Sequence, residues 1–441
     1  METREDIPLK SSPKSSSFRR CNKYLFEGSR FITTAFIFLS VVITIALILQ
    51  IYYGDFQVVP HGSVATDSRE CSEIGTSILK RNGNAVDAAI AAAICLAVVN
   101  PHTAGLDATA GILIYNHKTR ENPISFDFDS VDTNQTFPKL IANLAQVHEI
   151  YGHLSWKEIL GPSVELARRG FLVSKQLAQA IKKAKVKKLF KEVEAGRLIT
   201  LKNLANMLLD ISELPPKDVY NLAKNYGVIK NQQSVKGTLK NYNIFYPKSQ
   251  NIDYIYNLAN ISRHTYNEYN VWSQFHQGTI SNIAVIDLND LYVSFVIGMY
   301  SAFGSQQMTN NGYILDIKSS MPYSILPIII SDAKYICAKR IVLGVNDVCT
   351  ATQIILNWVH SAEDTTTVIE YPRFVYLDNN TIGLEDDHDP KFSDTHIAEL
   401  QKLATLNVVR EPYSSCNFVE KVFDNLNSHS DSRGGGISSR F

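Results

Sequence analysis

Neither sign of charge dominates this chain: 43 Lys and Arg residues balance 43 Asp and Glu. The net charge therefore supports neither a nucleic-acid partner nor the steering of a strongly charged substrate. Several chemical signatures are missing as well. There is no Cys-x-x-Cys, no His-Glu-x-x-His, no phosphate-binding P-loop and no Gly-x-Ser-x-Gly elbow, which removes the common zinc, phosphate and α/β-hydrolase routes. His102, His117, His148 and His153 lack the spacing of metal ligands. No metal and no cofactor is expected, and no internal repeat is evident.

One long apolar run is present. Phe31 to Tyr53 carries no charge and is rich in Phe, Ile, Leu and Val, and about 20 such residues cross the ~30 Å hydrocarbon core of a bilayer. A transmembrane helix over 31–53 is expected. Arg19, Arg20, Lys23 and Arg30 precede it, whereas Asp55 follows it with no Lys or Arg before Arg69. That asymmetry places the N-terminus in the cytoplasm and describes a single-pass type II protein of the plasma membrane with an extracellular body. A cleaved signal peptide is the competing reading, but the run is longer than an h-region of about 7–15 residues and no clear small-x-small site follows it. Sequons at Asn134, Asn260 and Asn379 suit a glycosylated extracellular body. All the cysteines except Cys21 fall in that body, an odd number that leaves at least one unpaired or bridging two chains.

The chain divides by composition. Residues 1–30 are Ser/Lys/Arg-rich and read as a disordered cytoplasmic tail, 54–66 as a linker, 67–426 as the folded ectodomain, and the Ser/Gly-rich 427–441 as a second disordered tail. Asp67 to Val99 reads as one long helix of small residues, apolar almost all round and hence buried between layers, with Asn84 able to cap and Asn100-Pro101 as its stop. Gly111 to Tyr115 and Pro123 to Asp129 read as strands, and Trp156 to Leu177 as helical with a break at Gly170. The basic run Lys182, Lys183, Lys185, Lys187, Lys188 and Lys191 reads as a solvated helix face rather than an anion site. After a weakly patterned stretch over 200–277, a hairpin is expected from Ile283 to Asp287 and Leu291 to Ile297, turning at Leu288-Asn289-Asp290. Strands at Tyr323 to Ile330 and Arg340 to Leu343 and a helix from about Thr350 to His360 follow. This mixture suits a layered α+β or α/β body.

Three segments narrow the reading. The run from Glu70 to Gly75, the run Asn82-Gly83-Asn84-Ala85-Val86-Asp87-Ala88-Ala89, and Asn100-Pro101-His102 closely resemble the N-terminal segment of the gamma-glutamyltranspeptidases, also called glutathione hydrolases. Trp156, Pro162-Ser163, Leu166-Ala167-Arg168 and Gly170-Phe171 resemble the same family at matching offsets. The resemblance implies an α+β fold of the N-terminal-nucleophile hydrolase type, a four-layer αββα sandwich, here preceded by one transmembrane helix. It also implies a disulfide between Cys71 and Cys95, against the alternative that Cys95 in its apolar run is a small buried hydrophobe. The ligand implied is a gamma-glutamyl peptide such as glutathione, and a pairing with an active relative is the partner to be considered. Residues 200–277 are much shorter than the corresponding part of those enzymes.

The enzymes that the chain resembles cut themselves before a Thr that then serves as nucleophile, with its own amine as base. The matching stretch here is Gly278-Thr279-Ile280-Ser281-Asn282-Ile283, one residue too long. If Gly278-Thr279 sets the alignment, Thr279 is the catalytic residue and a bulge absorbs the excess. If the apolar positions set it, Ile280 takes the nucleophile position and Asn282 replaces a His; Ser281 is then a substitute hydroxyl. Asp129 stands where the family has its carboxylate-binding Arg, and Asp107-Ala108-Thr109 where it has a glycine loop. Phe303-Gly304-Ser305 is kept, with Gly298 and Tyr300 in place of a Thr and an Asn, and the acids expected next are missing around Lys318. Ser319 and Ser320 match the substrate-binding Ser-Ser-Met. Gly344 marks the oxyanion region, where one glycine remains of a pair. With so many positions replaced, the resemblance implies a catalytically impaired member, the alternative being an active glutathione hydrolase that uses Thr279.

Overall fold

The computed structural model describes residues 17–53, 60–128, 137–184, 186, 190, 193–222, 230–249, 279–317, 325–345, 348–360, 363–378, 381–402, 404–411 and 413–441. Two units separate at Val58. The first holds α1 (Ser17–Tyr53), whose segment Arg30–Gln50 is long and apolar enough to cross a membrane. Its 21 residues span about 31 Å at the α-helical rise, and side chains such as Phe31, Phe36 and Phe38 are exposed. Residues 17–30, read as part of a disordered tail, are helical: the run continues back to Ser17 with no Pro or Gly-Pro break to end it.

The second unit begins with β1 (Ser63–Thr66), α2 (Arg69–Lys80) and α3 (Ala85–Val99). The single helix expected from Asp67 to Val99 is in fact two. Asn82 takes φ +68°, a left-handed conformation that Asn accepts at low cost and that ends α2. Asn84 then starts α3 with a reciprocal capping box: its side chain accepts from the N–H groups of Val86 and Asp87 at 2.9 Å, and Asp87 Oδ2 accepts from the Asn84 N–H at 3.1 Å. Asp87 also takes the N–H groups of His153 and Leu154, so one buried carboxylate joins this helix start to a distant loop. Every residue of α3 is buried. The Cys71–Cys95 disulfide, with Cα atoms 5.4 Å apart, ties α2 to α3.

There follow β2 (Thr109–Asn116), β3 (Ile124–Phe128), α4 (Lys139–Tyr151), α5 (Trp156–Arg169), β4 (Phe171–Leu172), α6 (Lys175–Ala184), β5 (Leu198–Ile199), α7 (Lys202–Ser212) and α8 (Pro216–Leu222). β6 (Lys230–Gln233), β7 (Val235–Leu239) and β8 (Tyr242–Tyr246) precede the hairpin of β9 (Thr279–Ile286) and β10 (Leu291–Met299). The chain closes with β11 (Leu326–Asp332), β12 (Arg340–Val345), α9 (Val348–His360), α10 (Thr365–Glu370), β13 (Phe374–Asp378), β14 (Thr381–Glu385), α11 (Asp394–Gln401), β15 (Thr405–Val409), β16 (Phe418–Val422), β17 (Asn425–His429) and β18 (Ser439–Arg440). Among the described residues, the stretch past residue 200 thus holds two helices and three strands before β9, whose apolar pattern was too weak to read.

Two large sheets form the frame: one of seven strands in the order β18-β1-β9-β10-β2-β3-β6, the other of six in the order β17-β16-β12-β11-β8-β7. Period-2 alternation sorts their side chains. Ile283, Val285, Val293 and Phe295 join a core with α3, α4 and α5, whereas Ala284, Ile286 and Tyr292 meet Ile329, Val342 and Val419 of the other sheet. On the far side of that second sheet, Ile328, Ile341 and Leu343 pack with Ile354, Ile355 and Trp358 of α9. The body is a mixed α+β fold in which two sheets share a core and each shares another with helices.

Two expected boundaries shift. Residues 63–66, assigned to a linker, form β1 in the seven-stranded sheet, fully buried between β9 and β18. The expected disordered tail 427–441 is instead ordered: it carries most of β17 and all of β18, and Asp431 and Arg433 within it are buried. Its Ser/Gly composition suits tight turns with small side chains against a sheet edge as well as it suits disorder, and only the pairing partners decide between them.

Candidate functional site

A cavity of about 380 Å³ opens where the N-terminal end of β9 meets the start of α2, the C-terminal end of α3, one face of α6 and the segment after residue 413. Thr279, Ile280 and Ser281 line it, so the strand singled out from the sequence does reach a concave site. The Thr279 hydroxyl donates to the His102 carbonyl at 3.0 Å. Ser281, fully buried, shares a 2.7 Å hydrogen bond with the Thr103 hydroxyl, a partner that is no base at neutral pH. The ladder from Thr279 to Ile286 runs opposite Met299 to Tyr292 without a register shift. No bulge therefore lies within β9.

The even-numbered side chains of β9 face the second sheet. There Asn282, with no exposed surface, donates through Nδ2 to the Ser415 carbonyl at 3.0 Å, and its N–H donates to Asp67 Oδ2 at 3.2 Å. Asp67 also accepts from the Ser415 hydroxyl at 2.6 Å and from Asn417 Nδ2 at 2.8 Å. Burial drives the Asp67 carboxyl up to about 6, against the pull of these three donors. Behind the network, Asp431 accepts from Arg373 at 2.8 Å and from Arg433 at 3.1 Å, and Arg433 grips Glu385 with two nitrogens. These ions hold the segment after residue 413 as a wall of the cavity. This network is not legible in the sequence, because Asp67 and Asn417 are 350 positions apart and each is ordinary in its local pattern.

His102 lines the cavity, and burial lowers its pKa to about 4, so the ring is neutral at physiological pH. Its Nδ1 is buried with no hydrogen-bond partner among the described residues. Among the described residues no set of three His, Cys, Asp or Glu side chains is placed to hold a metal ion.

The remaining residues singled out from the sequence are scattered or fall outside the described residues. Gly344 lies in β12 and does not line the cavity; a Cβ there would come within 2.5 Å of Val296 Cγ2 and 3.3 Å of Asn282 Cβ, so its role in this structure is to let the two sheets approach. Asp107 accepts from the Asp316 N–H at 3.1 Å. Asp316, a carboxylate overlooked after Phe303-Gly304-Ser305, itself accepts from the Tyr300 N–H at 3.0 Å, and burial raises it to about 6. Asp129, Ser319, Ser320 and the sequons at Asn134, Asn260 and Asn379 lie outside the described residues.

Residues 71–133 and 129–241 match the family model for gamma-glutamyltranspeptidase. Glutathione hydrolase 7 of Bos taurus is 33% identical over 198 residues, covering 41% of this chain and 29% of that protein, and the Homo sapiens protein is 32% identical over the same length and coverage. Glutathione hydrolase 2 of Arabidopsis thaliana is 31% identical over 219 residues, 42% of this chain and 38% of its own. The matched part thus spans well under half of these relatives. Among solved structures, the crystal structure of cephalosporin acylase from Bacillus halodurans superposes with a TM-score of 0.68 at 16% identity, covering 87% of this chain and 96% of that one, which extends the shared fold well beyond the stretch where sequences align.

Proposed function

Because this chain is a divergent member of the gamma-glutamyltranspeptidase family, we propose that it is a membrane-anchored glutathione-hydrolase-like protein that has lost turnover and acts by binding. On this reading the two sheets and their flanking helices are the four-layer αββα sandwich of N-terminal-nucleophile hydrolases, spanning residues 67–441 with β1 added. α1 is a signal anchor, type II, with the body and its sequons outside the plasma membrane, where a gamma-glutamyl peptide such as glutathione or an active relative is the partner to test.

The observation that carries the proposal is the unbroken β9 ladder. With no bulge to absorb the extra residue, the apolar positions set the alignment, and Ile280, which cannot attack a carbonyl, takes the nucleophile position. Losing the nucleophile leaves essentially no covalent route, whereas losing one oxyanion donor costs about 10²–10³ in rate. The active reading has one observation in its favour: Thr279 lines the cavity. It would cleave the chain before Thr279 and release glutamate and cysteinyl-glycine from extracellular glutathione. Intact-mass and N-terminal peptide analysis of the detergent-purified full chain separates the two. One uncut chain is expected; a new N-terminus at Thr279 accompanied by glutamate release overturns the proposal.

A further inference from the structure

Lys182 and Lys183, the two lysines of the basic run that fall within α6, differ in the structure. Gln176, Ala180, Lys183 and Ala184 recur at i, i+4, i+7 and i+8, a single helical stripe, and all four line the cavity. Lys182 does not, although both lysines are exposed. Lys183 forms no ion pair with any described residue, while Arg433, the other cation on the lining, is saturated by Glu385 and Asp431. One positive charge with no ion-pair partner among the described residues therefore sits at a concave site, while the Asp67 carboxylate on the same lining is held by its own three donors.

The rest of the lining adds two features. Ala180, Ala184, Ile280 and Ala302 make much of the wall apolar. The His102 Nδ1 atom is buried with no hydrogen-bond partner among the described residues, and an orphaned buried polar atom gains when a ligand supplies the missing hydrogen bond. The volume, about 380 Å³, falls within the ~300–1,000 Å³ of small-molecule sites.

We propose that the cavity binds a small organic carboxylate with an apolar body, its carboxylate against Lys183 and a hydrogen-bond donor at its other end meeting His102 Nδ1. This rests on the reading of the cavity as a site of binding rather than turnover. It sets Lys183 as the residue that selects for charge and His102 as the residue that selects for the donor.

The test is calorimetric titration of the detergent-purified full chain with 4-hydroxyphenylacetate, its neutral amide and phenylacetate. The acid should bind saturably and about tenfold more tightly than the amide, a factor in keeping with one partly screened ion pair. Lys183→Gln should remove that difference, Lys182→Gln should leave it, and added salt should shrink it. Phenylacetate, which lacks the hydroxyl, should bind more weakly than 4-hydroxyphenylacetate in the parent chain, and His102→Phe should abolish that gap. Equal affinity for acid and amide, no saturable binding, or equal effects of Lys182→Gln and Lys183→Gln would overturn the assignment while leaving the uncut chain intact. An N-terminus at Thr279 would instead overturn the binding-only reading without altering the Lys183 comparison.

Discussion

Asn282 and Asn417 hydrogen-bond each other twice across the boundary between the two large sheets. The Asn417 N–H donates to Asn282 Oδ1 at 2.7 Å, and Asn417 Nδ2 donates to the Asn282 carbonyl at 2.9 Å. Neither residue has exposed surface. The pair holds β9 to the segment that walls the cavity, beside the apolar cluster of Ala284, Ile286, Tyr292 and Val419 between the sheets.

Removing the Asn282 amide strands the Asn417 N–H and the Ser415 carbonyl, and each buried unsatisfied group costs about 1–3 kcal/mol. Asn282→Ala should therefore lower the unfolding free energy by roughly 2–4 kcal/mol in urea denaturation of the purified chain. A loss below about 1 kcal/mol would mean that the sheets readjust to pair these groups elsewhere.

Gly344 permits the close approach of the sheets. A methyl at this position meets Val296 Cγ2 at 2.5 Å, and overpacking of this kind costs about 1–3 kcal/mol. Gly344→Ala should destabilise the chain by that amount, and Val296→Ala in the same molecule should recover part of it. Additive effects of the two changes in a double-mutant cycle would show that they do not meet.

Two buried groups titrate in opposite senses. His102 falls from 6.5 to about 4 because of burial, so its contribution to stability is complete above pH 6.5 and is lost as the pH falls through 4. Burial raises Asp67 from 3.8 to about 6, so its contribution is complete below 3.8 and is lost as the pH rises through 6. The two trends oppose each other between pH 4 and 6. His102→Phe removes one of them, and relative to the parent chain the variant should gain up to about 3 kcal/mol between pH 6.5 and 4. Thermal denaturation across that range checks it; parallel pH profiles for the two proteins would show that His102 is solvated.

How much could be read in advance differs by element. The β9–β10 hairpin was legible because alternating apolar residues flank a short polar turn, and Asp287 secures that turn by accepting the Asn289 and Leu291 N–H groups at 2.8 and 3.0 Å. The Asn84 cap was legible for the same reason: capping is a contact over three residues. The break between α2 and α3 was not, since Asn82 in a left-handed conformation follows a helix that could have continued through it. Composition misjudged β1 and β18, whose strand pairing depends on partners hundreds of positions away.

From the sequence alone came the apolar N-terminal helix, the charge neutrality, the capped small-residue helix and the family, all carried by short-range patterns or by runs of matched residues. Tertiary structure alone decided which side chains meet. It set β9 in an unshifted ladder, buried Asn282 against Asn417, put Gly344 between the sheets rather than at the cavity, and turned Lys183 but not Lys182 toward the same space as Thr279 and His102. The physical reason is one of range: helix periodicity and capping are satisfied within a few residues, whereas a cavity and a buried polar network exist only where segments distant in the chain are packed together.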